Sequence, residues 1–160
     1  MKTEVVVAAA VDALERAAAF VDAGEVVGIP TDTVYGLAVL AESEPAVARC
    51  FAVKERPPDR PLPIFPASMK DAGAVVELGE RGTRLAECFW PGGLTIVAPL
   101  ADGFSSAATL GLPTAAVRLP ANGWVLALLT TLFGALYQSS VSAGVSLGGA
   151  LGKPLADQLF

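Results

Sequence analysis

The chain has 160 residues, a net charge of −5 at pH 7 and no histidine. A chain of this length can form one domain with a sizeable core, and we expect a single domain over residues 1–160. The lack of histidine excludes Ser-His and Cys-His catalysis and histidine metal sites. The pI of about 4.6 argues against strong attraction of the whole surface to nucleic-acid phosphates.

The composition is apolar, with 53% hydrophobic residues and a mean hydropathy of +0.56, yet no segment predicts a membrane span. The most apolar window, residues 124–137, is shorter than the roughly 20 residues that a spanning helix needs. The charges near the N-terminus are not those of a signal peptide. Cys50 and Cys88 lack metal-ligand spacing and indicate core residues in a reducing compartment. We therefore expect a cytoplasmic protein.

Helical and strand-like segments alternate along the chain, which predicts an α/β domain with helices packed around a twisted sheet. Ser43 or Glu44 is expected to cap one helix, and Asn122 precedes another. The predicted elements, in chain order, are a helix at 11–24, a strand at 25–30, a helix at 43–56, a strand at 61–65, helices at 67–78 and 80–89, strands at 94–100 and 114–120, a helix at 122–133, a strand at 134–140 and a Gly/Ser-rich loop at 139–152.

Four polar side chains follow the first predicted strand, in the sequence PTDTVYG. They are Thr31, Asp32, Thr33 and Tyr35. An ordinary turn needs only one or two such residues. The density of polar groups indicates a loop that faces a ligand or another part of the protein.

A cationic segment, KERPPDRP, ends the helix predicted at 43–56 and contains Lys54, Arg56 and Arg60. If the helix unwinds at the two prolines, these side chains can converge on a polyphosphate through charge-assisted hydrogen bonds. The alternative is a solvated helix end, where cations favour the carbonyl dipole. From these residues alone, the solvated helix end is the better interpretation.

Arg118 is the single charged residue between Gly103 and Gly152, and it lies on a predicted strand. A buried arginine without a partner costs several kcal/mol. Its partner is therefore either an anionic ligand or a distant acid such as Asp32, and the sequence favours neither. The segment WPGGLT, starting at Trp90, is predicted to be a structural turn before a strand.

Four motifs resemble those of the YrdC-like threonylcarbamoyl-AMP synthases, in the same order and at similar spacing: PTDTVYGL, KERPPDRPLPIF, FWPGGLTIV and TAAVRLP. The resemblance spans residues 10–140 and implies an α/β fold with a twisted mixed sheet and a concave cationic cleft. The family continues beyond this point with further strands, so the chain is expected to lack its C-terminal strands. Its TSAN-type motif is altered here, with Ser142 in place of asparagine, and some relatives have histidine where Phe65 stands.

The resemblance also implies roles for individual residues. Thr33 and Arg118 would bind substrate threonine, with Arg118 on its carboxylate. The residues expected to bind ATP are Lys54, Arg56, Arg60, Thr114 and Ser140.

The reaction implied by the family joins L-threonine, bicarbonate and ATP into threonylcarbamoyl-AMP and releases pyrophosphate. Positioning and neutralising anions is most of this task, so no catalytic protein nucleophile is expected. Mg²⁺ would accompany the triphosphate. A tRNA-modifying threonylcarbamoyl transferase would use the product to make N6-threonylcarbamoyladenosine. The alternative is a catalytically impaired or divergent member that binds nucleotide or double-stranded RNA; the acidic pI predicts that any RNA or tRNA binding is weak.

Overall fold

The computed structural model describes residues 3–55, 57 and 59–142, with side chains through residue 132. Helices and short strands alternate in this part of the chain. The elements are α1 (Ala13–Asp22), β1 (Val27–Ile29), β2 (Gly36–Ala38), α2 (Glu44–Val53), α3 (Met69–Val75), α4 (Gly79–Phe89), β3 (Ile96–Pro99), a 3₁₀ turn (Ala107–Thr109), β4 (Thr114–Val117) and α5 (Gly123–Ser142). The predicted mixed α/β class is confirmed.

One core lies between the first and last helices. α1 packs against α5, and β1 adds Ile29 to the same cluster. Val125 and Leu128 of α5 are almost completely buried there, as is Val21 of α1. Burying apolar side chains of this size contributes roughly 1.5–3 kcal/mol each. This cluster fixes the β1–β2 hairpin, and with it the polar loop between those strands.

A second core lies under the β3–β4 pair. Ala115 and Val117 of β4 are 2% and 0% exposed, and they pack with residues of α2, α3 and α4. Single bridges extend this pair on both sides: Ile64 pairs with Val117 in parallel, and Val76 pairs with Leu100 in antiparallel orientation. β4 is therefore held from both sides, which makes it a rigid support for Arg118.

Two helices, α2 and α5, begin at the capping residues that the sequence predicts. The Ser43 hydroxyl accepts a hydrogen bond from the Ala46 N–H at 3.4 Å, with Pro45 in the first turn of α2. The Asn122 side chain accepts from the Val125 N–H at 3.1 Å at the start of α5. Side-chain oxygens at these positions satisfy amides that have no partner within the helix.

Two predictions about strands were wrong, and one strand was missed. The segment 134–140 was predicted to be a strand, but α5 continues through it to Ser142. Apart from Gly134, nothing there opposes the helix: no proline intervenes, and each added residue gains a hydrogen bond once the helix is under way. The predicted strand at 61–65 makes only the bridge at Ile64, because its prolines lack N–H donors. β2 was not predicted, since three residues show too little alternation to reveal a strand.

The sheet also differs from the expected one. Among the described residues, the strands form two separate antiparallel pairs, β1 with β2 and β3 with β4, instead of one continuous mixed sheet. The parallel component is limited to the bridge between Ile64 and Val117. The same residues do not show a cationic cleft. No helix among them is long and apolar enough to cross a membrane.

Candidate functional site

The polar loop between β1 and β2 is braced by Thr31. Its hydroxyl donates to the Val34 carbonyl oxygen at 2.5 Å and accepts from the backbone N–H groups of Thr33 and Val34, each at 3.2 Å. A threonine that bonds its own following backbone stabilises a tight turn. Thr31 therefore has a structural role, and it leaves Thr33 and Tyr35 exposed, Tyr35 at 84%.

Arg118 joins this loop to two other motifs. Its Nη2 lies 2.6 Å from Oδ1 of Asp32, and the two groups form an ion pair. Its Nη1 donates to Oγ1 of Thr33 at 3.2 Å, and its Nε donates to the Gly92 carbonyl oxygen at 3.0 Å. The guanidinium carbon also lies 5.7 Å from the centre of the Phe65 ring, a cation–π contact. Segments far apart in sequence thus meet at one arginine.

The Asp32–Arg118 pair is largely shielded from water, with side chains 18% and 10% exposed. Burial raises the pKa of the Asp32 carboxyl, but hydrogen bonding to Arg118, backbone amides at Asp32 and Ala121, and the arginine charge outweigh burial and leave the pKa below 3.8. Of the two partners that the sequence allowed for Arg118, the structure shows the acid, Asp32.

The Trp-Pro-Gly-Gly turn holds Arg118 from the opposite side. Trp90 is 8% exposed and its indole N–H donates to the Leu94 carbonyl oxygen at 2.6 Å. Gly92 donates its N–H to the Leu119 carbonyl oxygen at 2.9 Å, and a Cβ at Gly92 would lie 2.4 Å from the Phe89 carbonyl oxygen. Only glycine fits there. The turn is structural, as predicted, and its Gly92 carbonyl also fixes the arginine.

Thr114 lies at the start of β4 and is half-buried. Side chains on a strand alternate between its two faces, so Thr114, Ala116 and Arg118 share one face while Ala115 and Val117 point into the core. The hydrogen bond from the Arg118 N–H to the Ile64 carbonyl oxygen, 3.1 Å, extends this alternation past the end of the strand. Two of the predicted site residues, Thr114 and Arg118, therefore lie on one surface.

The cationic segment begins where α2 ends. α2 stops at Val53, and Glu55 has a left-handed backbone with φ of 51°, so the helix unwinds before the two prolines. Lys54 and Arg60 are exposed, and neither has an ion-pair partner among the described residues. Arg56 lies outside the described residues. Convergence of the three cations on a phosphate stays a prediction.

Ser140 is part of helix α5, but only its backbone is described. Its side chain and the residues after Ser142 lie outside the described part of the chain. Its predicted contact with ATP also stays a prediction. No group of three or more His, Cys, Asp or Glu residues that could hold a metal ion occurs among the described residues.

An open cleft of about 720 Å³ lies elsewhere, between α2 and the 3₁₀ turn. It is lined in part by Glu42, Glu44 and Phe51, and none of the predicted site residues lines it. Its carboxylates disfavour anionic ligands, so size alone does not make this cleft the site for a nucleotide or a carboxylate.

Sequence reasoning missed Gly92 and Phe65 as partners of Arg118. A backbone carbonyl leaves no mark in the sequence beyond the glycine itself. Phe65 was noted only as a departure from histidine. Asp32 was identified as an alternative partner because a lone buried arginine needs an acid.

The fold and the convergence of the four motifs define a class, the α/β proteins related to Sua5 and YciO. A protein-family model for Sua5, YciO and YrdC, described as "Telomere recombination", matches residues 19–145. The chain belongs to this family, and the resemblance inferred from its motifs is confirmed.

Relatives and solved structures support this assignment. A threonylcarbamoyl-AMP synthase of Pyrococcus abyssi is 44% identical over 71% of this chain and 34% of its own length, and one of Bacillus subtilis is 37% identical over 72% and 34%. The crystal structure of P. abyssi Sua5 complexed with L-threonine has a TM-score of 0.69 and 40% identity, over 79% of this chain and 36% of that one. Escherichia coli YciO, at 22% identity and a TM-score of 0.67 over 74% and 58%, supports the fold alone. The chain spans about one third of the length of the first two relatives.

Proposed function

We propose that this protein takes part in the synthesis of L-threonylcarbamoyl-AMP from L-threonine, bicarbonate and ATP, with release of pyrophosphate. The observation that supports this most directly is the 3.2 Å contact between Arg118 and Thr33. These two residues are 85 positions apart, and the resemblance assigns both to threonine. A solved relative with 40% identity is complexed with L-threonine.

Arg118 offers a fixed cation for the threonine carboxylate. Its guanidinium is oriented by the Gly92 carbonyl and Asp32, and its Nη1 faces the exposed Thr33 hydroxyl. Planar guanidinium groups bind carboxylates by paired hydrogen bonds. The ligand would replace the weak contact at Thr33 or add to it.

The nucleotide would lie towards the other end of β4, near Thr114. Lys54, Arg56 and Arg60 would neutralise its phosphates, Ser140 would contact ATP, and Mg²⁺ would arrive with the triphosphate. The threonine amine adds to the carbon of bicarbonate, which loses water to give a carbamate, and a carbamate oxygen then attacks the α-phosphorus as pyrophosphate leaves. The protein supplies position and charge neutralisation, with no covalent intermediate.

The product would be consumed by a transferase that modifies tRNA. Given the net charge of −5, any direct contact with tRNA or double-stranded RNA would be weak and limited to a local cationic surface.

The test is pyrophosphate release that depends on both threonine and bicarbonate. The informative variant is Thr33→Val, which keeps the shape of the side chain but removes its hydroxyl. The matched control is Thr83→Val on α4, where the Thr83 hydroxyl donates to the Gly79 carbonyl oxygen. Thr33→Val should raise the KM for threonine about five- to tenfold through loss of one hydrogen bond. Thr83→Val should leave it unchanged.

Absence of threonine-dependent pyrophosphate release in the wild type would exclude the synthase. If threonine and ATP still bind under those conditions, the chain is a non-catalytic binding member of the family.

A further inference from the structure

The outer face of the β3–β4 pair has different kinds of side chain along its length. Thr114 begins β4 and Arg118 follows directly after its last residue, with Ala116 between them. On β3, Val97 pairs directly with Ala116, and Pro99 pairs with Thr114. The face therefore has a cation at one end, a hydroxyl at the other and an apolar middle.

The apolar middle is open to solvent. Val97 is 67% exposed, although the residues on either side of it, Ile96 and Ala98, turn toward the core. Together with Pro99 and Ala116 on the same face, Val97 forms a small apolar patch beside the polar site. Ala116 is half-buried and has a short side chain, so it leaves a shallow depression in this face.

This face is long enough for a ligand with two different ends. Thr114 and Arg118 are four residues apart, about 13 Å along a strand. A carboxylate held at Arg118 and a nucleotide near Thr114 would be joined by an uncharged carbamoyl link above Val97 and Ala116. An apolar surface there keeps water from one side of a hydrolysable mixed anhydride.

We propose that Val97 and Ala116 form the floor of the substrate site, and that the small side chain at position 116 makes room for the link between the carboxylate and the nucleotide. The occupant is the joined threonine–nucleotide adduct; the proposal rests on the proposed function and adds two positioning residues to it. Arg118 supplies charge complementarity at one end of the floor.

The test places a larger side chain between Arg118 and Thr114 and leaves these two residues in place. In Ala116→Phe, the ring would occupy the space of the link, and kcat for pyrophosphate release should fall about a hundredfold, as expected when reacting groups are displaced by about 1 Å or more. Threonine alone binds at Arg118, so its affinity by calorimetry should fall far less than kcat. The matched control is Ala19→Phe on the exposed surface of α1, which should change neither quantity.

Val97→Phe is the second variant, because a residue that is 67% exposed tolerates an aromatic replacement on a strand. It should reproduce the loss of kcat with an unchanged melting temperature. Wild-type kcat in both variants would overturn the proposal, as would a loss of several degrees in melting temperature in both, since that would show that another segment of the chain covers this face. A wild type that releases no pyrophosphate would instead overturn the proposed function, and the floor with it.

Discussion

Replacing Arg118 with leucine tests whether this arginine is a structural partner of Asp32 as well as a ligand-binding group. The change removes the ion pair, two hydrogen bonds and the contact with Phe65. It leaves the Asp32 carboxylate, 18% exposed, beside an apolar side chain. We therefore expect Arg118→Leu to destabilise the ligand-free protein.

The magnitude follows from the burial of each group. A carboxylate that loses its partner in a largely enclosed site costs about 1–3 kcal/mol, and the lost hydrogen bond to the Gly92 carbonyl adds about 0.5–1.5 kcal/mol. Thr33 is exposed, so water replaces its contact. Burial of the apolar leucine side chain adds roughly 1 kcal/mol to the unfolding free energy. The net loss in unfolding free energy is about 2 kcal/mol, within a range of roughly 0.5–3.5 kcal/mol. A loss of about 2 kcal/mol corresponds to a fall of about 4–8 °C in melting temperature for a domain of this size.

A double-mutant cycle with Asp32→Asn isolates the pair. Thermal or urea unfolding of the two single variants and the double variant should give a coupling energy of about 1–3 kcal/mol, because Asp32→Asn removes the stranded charge. The matched control is Arg84→Leu, whose partner Glu80 is 79% exposed, and its melting temperature should fall by no more than about 1–2 °C. Saturating threonine should raise the melting temperature of the wild type but not that of Arg118→Leu. An Arg118→Leu variant as stable as the wild type, with no coupling to Asp32, would refute the structural pair.

Two further predictions concern charge. Because the pKa of Asp32 is lowered in the folded state, the stability that its ionised form provides is fully present above 3.8 and is lost as the pH falls through the lower folded-state pKa. Urea unfolding should therefore show a constant difference between wild type and Asp32→Asn from about pH 5 to 8 that disappears in stronger acid; a difference that persists there would contradict the assignment. Arg56→Ala should weaken ATP binding by about 1.5–3 kcal/mol in calorimetry, as expected for one charge-assisted phosphate contact, and an unchanged affinity would exclude that contact.

The sequence predicted those elements whose signals are local. Helix α2 is a clear example, because Ser43 as cap and Pro45 in the first turn mark its beginning. β4 was predicted from β-branched and small residues between Thr114 and Pro120. By contrast, the end of α5 depends on whether a helix continues past Gly134, and the strand-like composition of the next residues gave the wrong answer.

The site was predictable in its charges and not in its geometry. A lone arginine in fifty residues without an acid implies a distant partner, and Asp32 was one of the two candidates. The sequence offers no way to know that the Gly92 carbonyl also meets Arg118, since this contact depends on the path of a turn 26 residues away. Arg56 and Ser140 are predicted from motif position alone, and the structure neither supports nor contradicts their roles.

The contacts of Arg118 also explain how a buried cation can serve as a binding group. Removing a guanidinium from water is costly unless its charge and its N–H groups find partners, and here Asp32, the Gly92 carbonyl and Phe65 provide them. These contacts offset the cost of burial, and under the proposed function the threonine carboxylate would meet an arginine that is already held in place. The weakest of its contacts, the 3.2 Å hydrogen bond to Thr33, faces the exposed side of the loop. Under the proposed function, the threonine carboxylate would approach from that side and leave the pair with Asp32 intact, so the ion pair that stabilises the loop would also orient the arginine for its ligand.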